Sequence, residues 1–298
     1  MPGGLKEVRE RIRSVQNTQQ ITKAMKMVSA AKLRKAQQAI LQMRPYADKL
    51  NSMLRNMLSN MEGNIASPFA QERPVSKACL VVVTSNRGLC GAFNSNVIKA
   101  ATATIQGQYS ELRAQKQLTI LCVGKRGYDF FKKRYSDCNV IGDHVNLFSD
   151  LRFEQVSQLS GLLMKAFEEK QYDEITVAYG RFKNAATQYP EAEKFLPVAK
   201  FESKDAGKQH RADYIFEPDM EGLLDYLIPN ILQTQFYRFM LDTHASEHGA
   251  RMTAMDKASE NAEELLKELR LSYNKARQET ITKEILEIVG GAAALSGN

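Results

Sequence analysis

The chain has 298 residues, with 41 Lys/Arg against 34 Asp/Glu and a formal net charge of +7. Its 43% hydrophobic content suffices for one large domain or two modest ones, and no apolar run approaches the roughly 20 residues of a membrane-spanning helix. The charge is polarised: residues 1–60 carry 12 basic and 3 acidic side chains, whereas residues 211–298 carry 9 and 15. Opposite signs favour the two ends lying side by side, and a basic N-terminal segment attracts an acidic partner.

Residues 5 to about 61 read as helix. Leu5, Val8, Ile12 and Val15 step by three and four, as in a coiled-coil seam. The seam turns polar over residues 16–20 and is expected to resume through Ile21, Met25, Val28 and Leu33. Pro45 is expected to kink this helix or start a second one. Met25, Met27, Met43, Met53, Met57 and Met61 suit irregular gaps, or a surface that repacks against a partner. Residues 63–76, with Pro68 and Pro74, read as a linker.

At Lys77 the period changes. Residues 78–84 form a continuous apolar, β-branched run, expected of a strand buried on both faces. A glycine-containing turn (85–93) and a helix (94–114) follow. Residues 118–123 are a second buried strand, ended by Gly124-Lys125-Arg126-Gly127. A short helix through Phe131, a weak strand at Val140-Ile141, an amphipathic helix (150–170) and a strand (174–182) complete an alternating pattern. Such alternation argues a small, doubly wound parallel sheet. Residues 183–212 read as polar loop, with a short strand around 195–201.

Helix returns after Pro218. Pro229 is expected to kink it, and Gly249 to weaken it by about 1 kcal/mol relative to Ala. A continuous helix of roughly 70 residues spans ~105 Å, more than any domain of this chain. Ala262, Leu265, Leu269 and Ala276, then Ile281, Ile285 and Ile288, mark its apolar face, and Gly290-Gly291 its expected stop. The expected fold class is α/β: a long antiparallel coiled coil of the terminal helices with an inserted Rossmann-like parallel-sheet domain. The expected boundaries are 1–61, 77–205 and 213–298.

No motif points to catalysis. Gly88-Leu89-Cys90-Gly91 has two glycines at the wrong spacing for G-x-G-x-x-G. Gly124-Lys125 lacks a glycine at position 119 and a Ser or Thr at 126, as a phosphate-binding loop requires. Both read as turns at strand ends, with no bound nucleotide or other cofactor. His244 and His248 match H-x-x-E-H, but no third ligand is nearby, and they are expected on a solvated helix face. Cys79, Cys90, Cys122 and Cys138 have no metal spacing and are expected to be free thiols in a reducing compartment. The charged start argues against a secretory signal, and no Arg/Ser-rich leader suggests an organelle address. The basic helix (Arg9, Arg11, Arg13, Lys23, Lys26 and beyond) leaves a second reading open, a coiled-coil nucleic-acid-binding protein. Against it, the apolar seam runs through the basic region instead of following it.

Several stretches taken together resemble the gamma subunit of the F-type ATP synthase. They are RIRSVQNTQQITKAMKMV at 11–28, RGLCG at 87–91, Ser246-Glu247, Ala250-Arg251-Met252, YNKARQ at 273–278 with Ile281-Thr282, and EIVGGAAA at 287–294. Their order and spacing cover nearly the whole chain. The resemblance implies a non-catalytic central shaft, turning inside a ring of alpha and beta subunits and coupling rotation of the c-ring to ATP synthesis or hydrolysis. It implies further contact with the epsilon subunit, and a peripheral place on the cytoplasmic face of a bacterial inner membrane. Carried over by position, it implies ring contacts at Met25, Lys26, Arg87, Arg251, Arg277, Gln278 and Thr282. Tyr214 and Glu217 would face the c-ring. The chain departs from the family at Lys26, often acidic in relatives, and at His244, His248 and Pro229. The cysteine-bearing regulatory insertion of chloroplast forms is not apparent, so no thiol switch of that type is expected.

Overall fold

The computed structural model describes residues 4–59, 68–149, 151–198 and 220–296. Two helices dominate the element order: α1 (Leu5–Ser59) opens it and α6 (Met220–Ser296) closes it. Between them lie β1 (Ala78–Val83), α2 (Phe93–Gln108), α3 (Ser110–Ala114), β2 (Leu118–Val123), α4 (Lys125–Arg134), β3 (Asn139–Ile141), α5 (Phe153–Glu168), β4 (Glu174–Phe182) and β5 (Gln188–Leu196). The chain divides into two compact units. One joins Met1–Val28 to Met252–Asn298, and the other is Ser29–Arg251.

The larger unit is built on one five-stranded sheet of order β3-β2-β1-β4-β5. The first four strands are parallel and β5 is antiparallel to β4. Every residue of β1 and β2 is buried, as their unbroken apolar runs require of central strands. Alternate residues feed opposite faces. Cys79, Val81 and Val83 meet a core completed by Leu159, Leu163 and Phe167 of α5, by Leu232, Phe236 and Phe239 of α6, and by Leu50 and Leu54 of α1. Ala78, Leu80 and Val82 meet Val97, Ala101 and Ile105 of α2 and Phe131 of α4. The sheet is therefore doubly wound, and the two terminal helices supply part of its cover.

Four expectations need correction. The helix expected over 94–114 breaks at Tyr109, whose buried hydroxyl donates to Glu174 (2.5 Å) and lies 2.7 Å from the Thr176 hydroxyl. The segment read as polar loop contains β5, a nine-residue edge strand. Its outward charges, such as Glu191 paired with Arg181 at 2.8 Å, disguised it; edge strands carry such charges to resist further pairing. Pro45 does not start a second helix, and both Pro45 and Pro229 lie inside continuous helices. Around Pro229, burial of Leu227, Ile228 and Leu232 holds the helix through the lost hydrogen bond. Gly290-Gly291 does not stop α6, which runs on to Ser296.

The turn from β2 into α4 depends on one glycine. Gly124 adopts φ +103°, and a Cβ there would lie 2.0 Å from the Thr84 carbonyl oxygen. Gly124→Ala forces both left-handed backbone and a clash against a central strand. It is expected to destabilise the chain by about 1–3 kcal/mol or more. Denaturant unfolding checks this: a midpoint shift at unchanged slope is the predicted result.

Candidate partner-contact surfaces

In a doubly wound sheet, ligands sit beyond the carboxyl ends of the strands where the order reverses, here between β1 and β4. This chain fills that crevice with itself. The first N–H groups of α4, which could otherwise cradle a phosphate, already have acceptors. Lys125 N donates to Asn86 Oδ1 (3.0 Å), Arg126 N to the Ser85 carbonyl (3.2 Å) and Gly127 N to Thr84 Oγ1 (2.8 Å). From the other side, α6 grips the end of β4. Ser246 Oγ donates to the Gly180 carbonyl (2.9 Å), and Gly180 N donates to Thr243 Oγ1 (3.3 Å). Gly249 is glycine for a packing reason: a Cβ there would meet the Ala185 backbone at 3.2 Å.

The loop after β1 is fastened by a buried cation. Arg251 on α6 pairs with Glu247 one turn earlier (2.7 Å). Its Nη2 donates to the carbonyls of Arg87 (3.2 Å) and Gly88 (3.3 Å), and its Nη1 lies 3.3 Å from His248 Nδ1. Burial pushes the Glu247 carboxyl above its usual range, against the opposing pull of Arg251. Beyond this anchor, Arg87 and Leu89 are exposed, and Leu89 stands at φ +61°.

In the smaller unit, α1 and α6 run antiparallel in constant register. Arg9 Nη2 donates to the Tyr273 hydroxyl (2.8 Å), Thr22 and Ser259 share a buried hydrogen bond (2.7 Å), and Lys26 pairs with Asp256. As α1 advances 17 residues from Arg9 to Lys26, α6 recedes 17 from Tyr273 to Asp256. The inward positions of α1 are Val8, Ile12, Val15, Gln19, Thr22 and Lys26, at alternating steps of four and three. Those of α6 are Met255, Ser259, Ala262, Leu266, Leu269, Tyr273 and Ala276. This is a heptad seam that turns polar in its middle. The expected continuation through Ile21 and Val28 is thus a step off: both are exposed, at 60% and 58%. From Arg277 to Val289 every residue of α6 is exposed, among them Ile281, Ile285, Leu286 and Ile288. Those isoleucines therefore do not face α1, as the apolar pattern had suggested.

A sequence model described as ATP synthase matches residues 4–295. The ATP synthase gamma chain of Cytophaga hutchinsonii is 50% identical over 294 residues, covering 98% of this chain and 99% of that one. The gamma chain of Flavobacterium johnsoniae is likewise 50% identical, over 293 residues, at the same coverage. This chain belongs to the ATP synthase gamma-chain family. A chain in the Euglena gracilis mitochondrial ATP synthase, from an OSCP/F1/c-ring structure in rotational state 3, shares the fold. Its TM-score is 0.66 at 23% identity, covering 98% of this chain and 94% of that one. The nucleic-acid alternative finds no support in these relatives.

Against the family positions, the expected contact residues separate into three groups. Arg277, Gln278 and Thr282 stand together on the exposed end of α6. Met25 and Lys26 are half-buried, the Lys26 ammonium being engaged by Asp256, while Lys23, Met27 and Val28 beside them are exposed. Arg87 is exposed, and Arg251 is buried behind it with its guanidinium on the Arg87 and Gly88 carbonyls. Tyr214 and Glu217 lie outside the described residues. Sequence reading missed Leu89, Glu247 and His248 as parts of this arrangement. The i,i+4 spacing of Glu247 and Arg251 was the available signal.

His244 and His248 are not solvated. His248 is buried, His244 is half-buried and stacks on Phe148 at 6.0 Å, and the two rings lie 4.6 Å apart. No group of three or more metal-capable side chains occurs among the described residues. Burial, helped by Lys32 and Arg251, pushes His244 down to about 4 and His248 to about 3. An unfolded histidine titrates near 6.5, so the unfolded chain binds more protons below that value and stability falls as pH drops. Asp242 acts the other way. Burial raises it to about 6, so its contribution is present at low pH and lost as pH rises toward 6. Glu247, also raised by burial, acts in the same sense as Asp242, but the two strongly lowered histidines outweigh both, and Tm is predicted to fall between pH 7 and pH 5. His244→Gln with His248→Gln should flatten or invert that slope in a thermal-melt series. With the α4 donors occupied, equilibrium dialysis of the isolated chain against ATP should show no retained nucleotide.

Proposed function

We propose that this chain is the non-catalytic rotor of a proton-translocating ATP synthase, turning within a ring of alpha and beta subunits and coupling its rotation to ATP synthesis or hydrolysis. The observation that carries this reading is the bare end of α6. Thirteen consecutive residues, Arg277 to Val289, are exposed in an otherwise well-paired helix, with five large aliphatic side chains among them. A helix of that composition gains little from water and is expected to be covered by a partner. Around it stand Arg277, Gln278 and Thr282, able to exchange hydrogen bonds as the covering surface changes. A second exposed apolar stretch, Ile21, Met27 and Val28 beside Lys23, lies on α1.

An asymmetric shaft drives a ring only if it touches the ring's states unequally. The supporting features are asymmetric: a cationic N-terminal helix, an apolar C-terminal tip, and the Arg87–Leu89 loop. Arg251 serves this surface through the loop. Contacts with the epsilon subunit and the c-ring, the latter through Tyr214 and Glu217, complete the reading. No described helix is long and apolar enough to cross a membrane. The reading includes attachment to the cytoplasmic face of a bacterial inner membrane through the complex.

The test is Ile285→Gln with Ile288→Gln in the assembled complex. Both positions are exposed, so thermal stability of the isolated chain should change by no more than about 0.5 kcal/mol. Proton pumping per ATP hydrolysed should fall severalfold. Full coupling in this variant, or in a complex lacking the chain, would refute the assignment.

A further inference from the structure

Two lysines occupy backbone positions that favour glycine. Lys116 (φ +57°) follows α3, and Lys170 (φ +58°) follows α5. Each is the left-handed residue of a helix-ending turn. Gln117 N donates to the Leu112 carbonyl (2.8 Å) and Lys116 N to that of Arg113; Gln171 N donates to the Ala166 carbonyl (2.9 Å) and Lys170 N to that of Phe167. Glycine takes this conformation freely, whereas a Cβ makes it costly. The helix dipole favours a cation there, which offsets only part of that cost. Both lysines stand at the end of the sheet where its parallel strands begin, just before β2 and β4. Lys77 precedes β1 at the same end, and Lys132, Lys133 and Arg134 close α4 just before β3. All six side chains are exposed, and among the described residues none is in an ion pair. Lys132 and Arg134 lie over the rings of Tyr128 (5.2 Å) and Phe130 (5.0 Å). The acids adjoining these strand starts are already engaged. Asp137 pairs with Arg113 (2.6 Å), Glu174 pairs with Lys194 (2.6 Å), and Asp173 accepts from Ser76 N, Ser76 Oγ and Lys77 N (3.0, 2.6 and 3.0 Å).

We propose that this end of the sheet is an electrostatic contact for anionic lipid headgroups. The proposal rests on the rotor reading and adds to it a surface apart from those that meet the ring. Direction supports it. At the far end of β4, Gly180 bonds Thr243 and Ser246 of α6. At its near end, Ile175 pairs with Leu196, and the adjacent Phe195 packs on Phe236 at 5.4 Å. The start of α6 therefore lies toward the cationic end, and the rotor reading turns that start toward the membrane. The residue type supports it too. Five of the six cations are lysines. Lysine is depleted from protein–protein interfaces, and its strongly hydrated ammonium is a point charge without the fork geometry that selects a carboxylate. A fluid headgroup layer asks only for charge, and each Lys or Arg near it adds to the attraction. Such a layer has no register to break, so a turning body can keep the contact. Screening confines the attraction to about 8 Å at physiological salt, so the surface must lie close to the headgroups.

The experiment measures co-sedimentation of the chain, assembled with alpha and beta subunits, with lipid vesicles. The vesicles are phosphatidylcholine alone, or the same with about one third phosphatidylglycerol. Binding is expected only to the anionic vesicles, and it should weaken as salt is raised. Lys116→Gly, Lys170→Gly, Lys132→Gln and Lys133→Gln combined should bind them about tenfold more weakly or worse. The same variant should melt no lower than the parent, because glycine relieves the two left-handed positions. That separates lost attraction from lost structure. A charge-matched variant on α1 (Arg11→Gln, Arg13→Gln, Lys23→Gln and Arg34→Gln) should stay within about twofold of the parent, because the assembled ring encloses that helix and screening hides it from the vesicle. No binding to anionic vesicles, equal binding to both kinds, or an equal loss in the two variants overturns the proposal. So does tighter binding to polyglutamate than to the anionic vesicles, which marks an acidic protein as the partner. Failure of the rotor reading looks different: the chain would then not assemble with alpha and beta subunits, whatever the vesicles show.

Discussion

The antiparallel seam between α1 and α6 is the constraint on which the rest depends. A helix in water without tertiary contacts is marginal, because propensity alone scarcely offsets the cost of nucleation. Each terminal helix is stabilised by the other along a heptad repeat, from Val8 against the region of Tyr273 to Lys26 against Asp256. The seam is not uniformly apolar. Its middle is Gln19, Thr22 and Lys26 against Asp256 and Ser259, where polar contacts give up stability and hold register. A slip of one heptad would separate Thr22 from Ser259 and Lys26 from Asp256. Register in turn decides which part of α6 is left exposed among the described residues, and that part begins at Arg277.

The sheet unit uses a ligand-binding topology for another purpose. Its switch point is sealed by Ser246, Thr243 and Arg251 from α6, and the α4 donors are consumed by Thr84, Ser85 and Asn86. A crevice that elsewhere receives a phosphate here receives a helix. The result ties the sheet to the Thr243–Arg251 stretch of the last helix, with the β1 loop held at its rim.

Much of this was legible in the sequence because strong periods leave little choice. The buried runs of β1 and β2 and the strand β4 were readable from β-branched content, and both long helices from their spacing. What was missed has specific causes. Thr22 and Lys26 are polar, so the apolar steps lead away from the true seam to Ile21 and Val28. β5 carries edge charges that look like loop. His244 and His248 occupy a helix whose other residues are mixed, and only the packing of Phe148 and Arg251 shows that they are buried. The Gly290 pair carries a strong local stop signal that the surrounding helix overrode.

The most direct measurement is amide hydrogen exchange over residues 277–296, first in the isolated chain and then in the complex with alpha and beta subunits. The seam ends near Ala276, so these amides should exchange rapidly in isolation, in contrast to those of residues 255–276. They should become strongly protected on assembly. Strong protection already present in the isolated chain, or no gain of protection in the complex, would contradict a helix end that the seam leaves bare for the ring to grip.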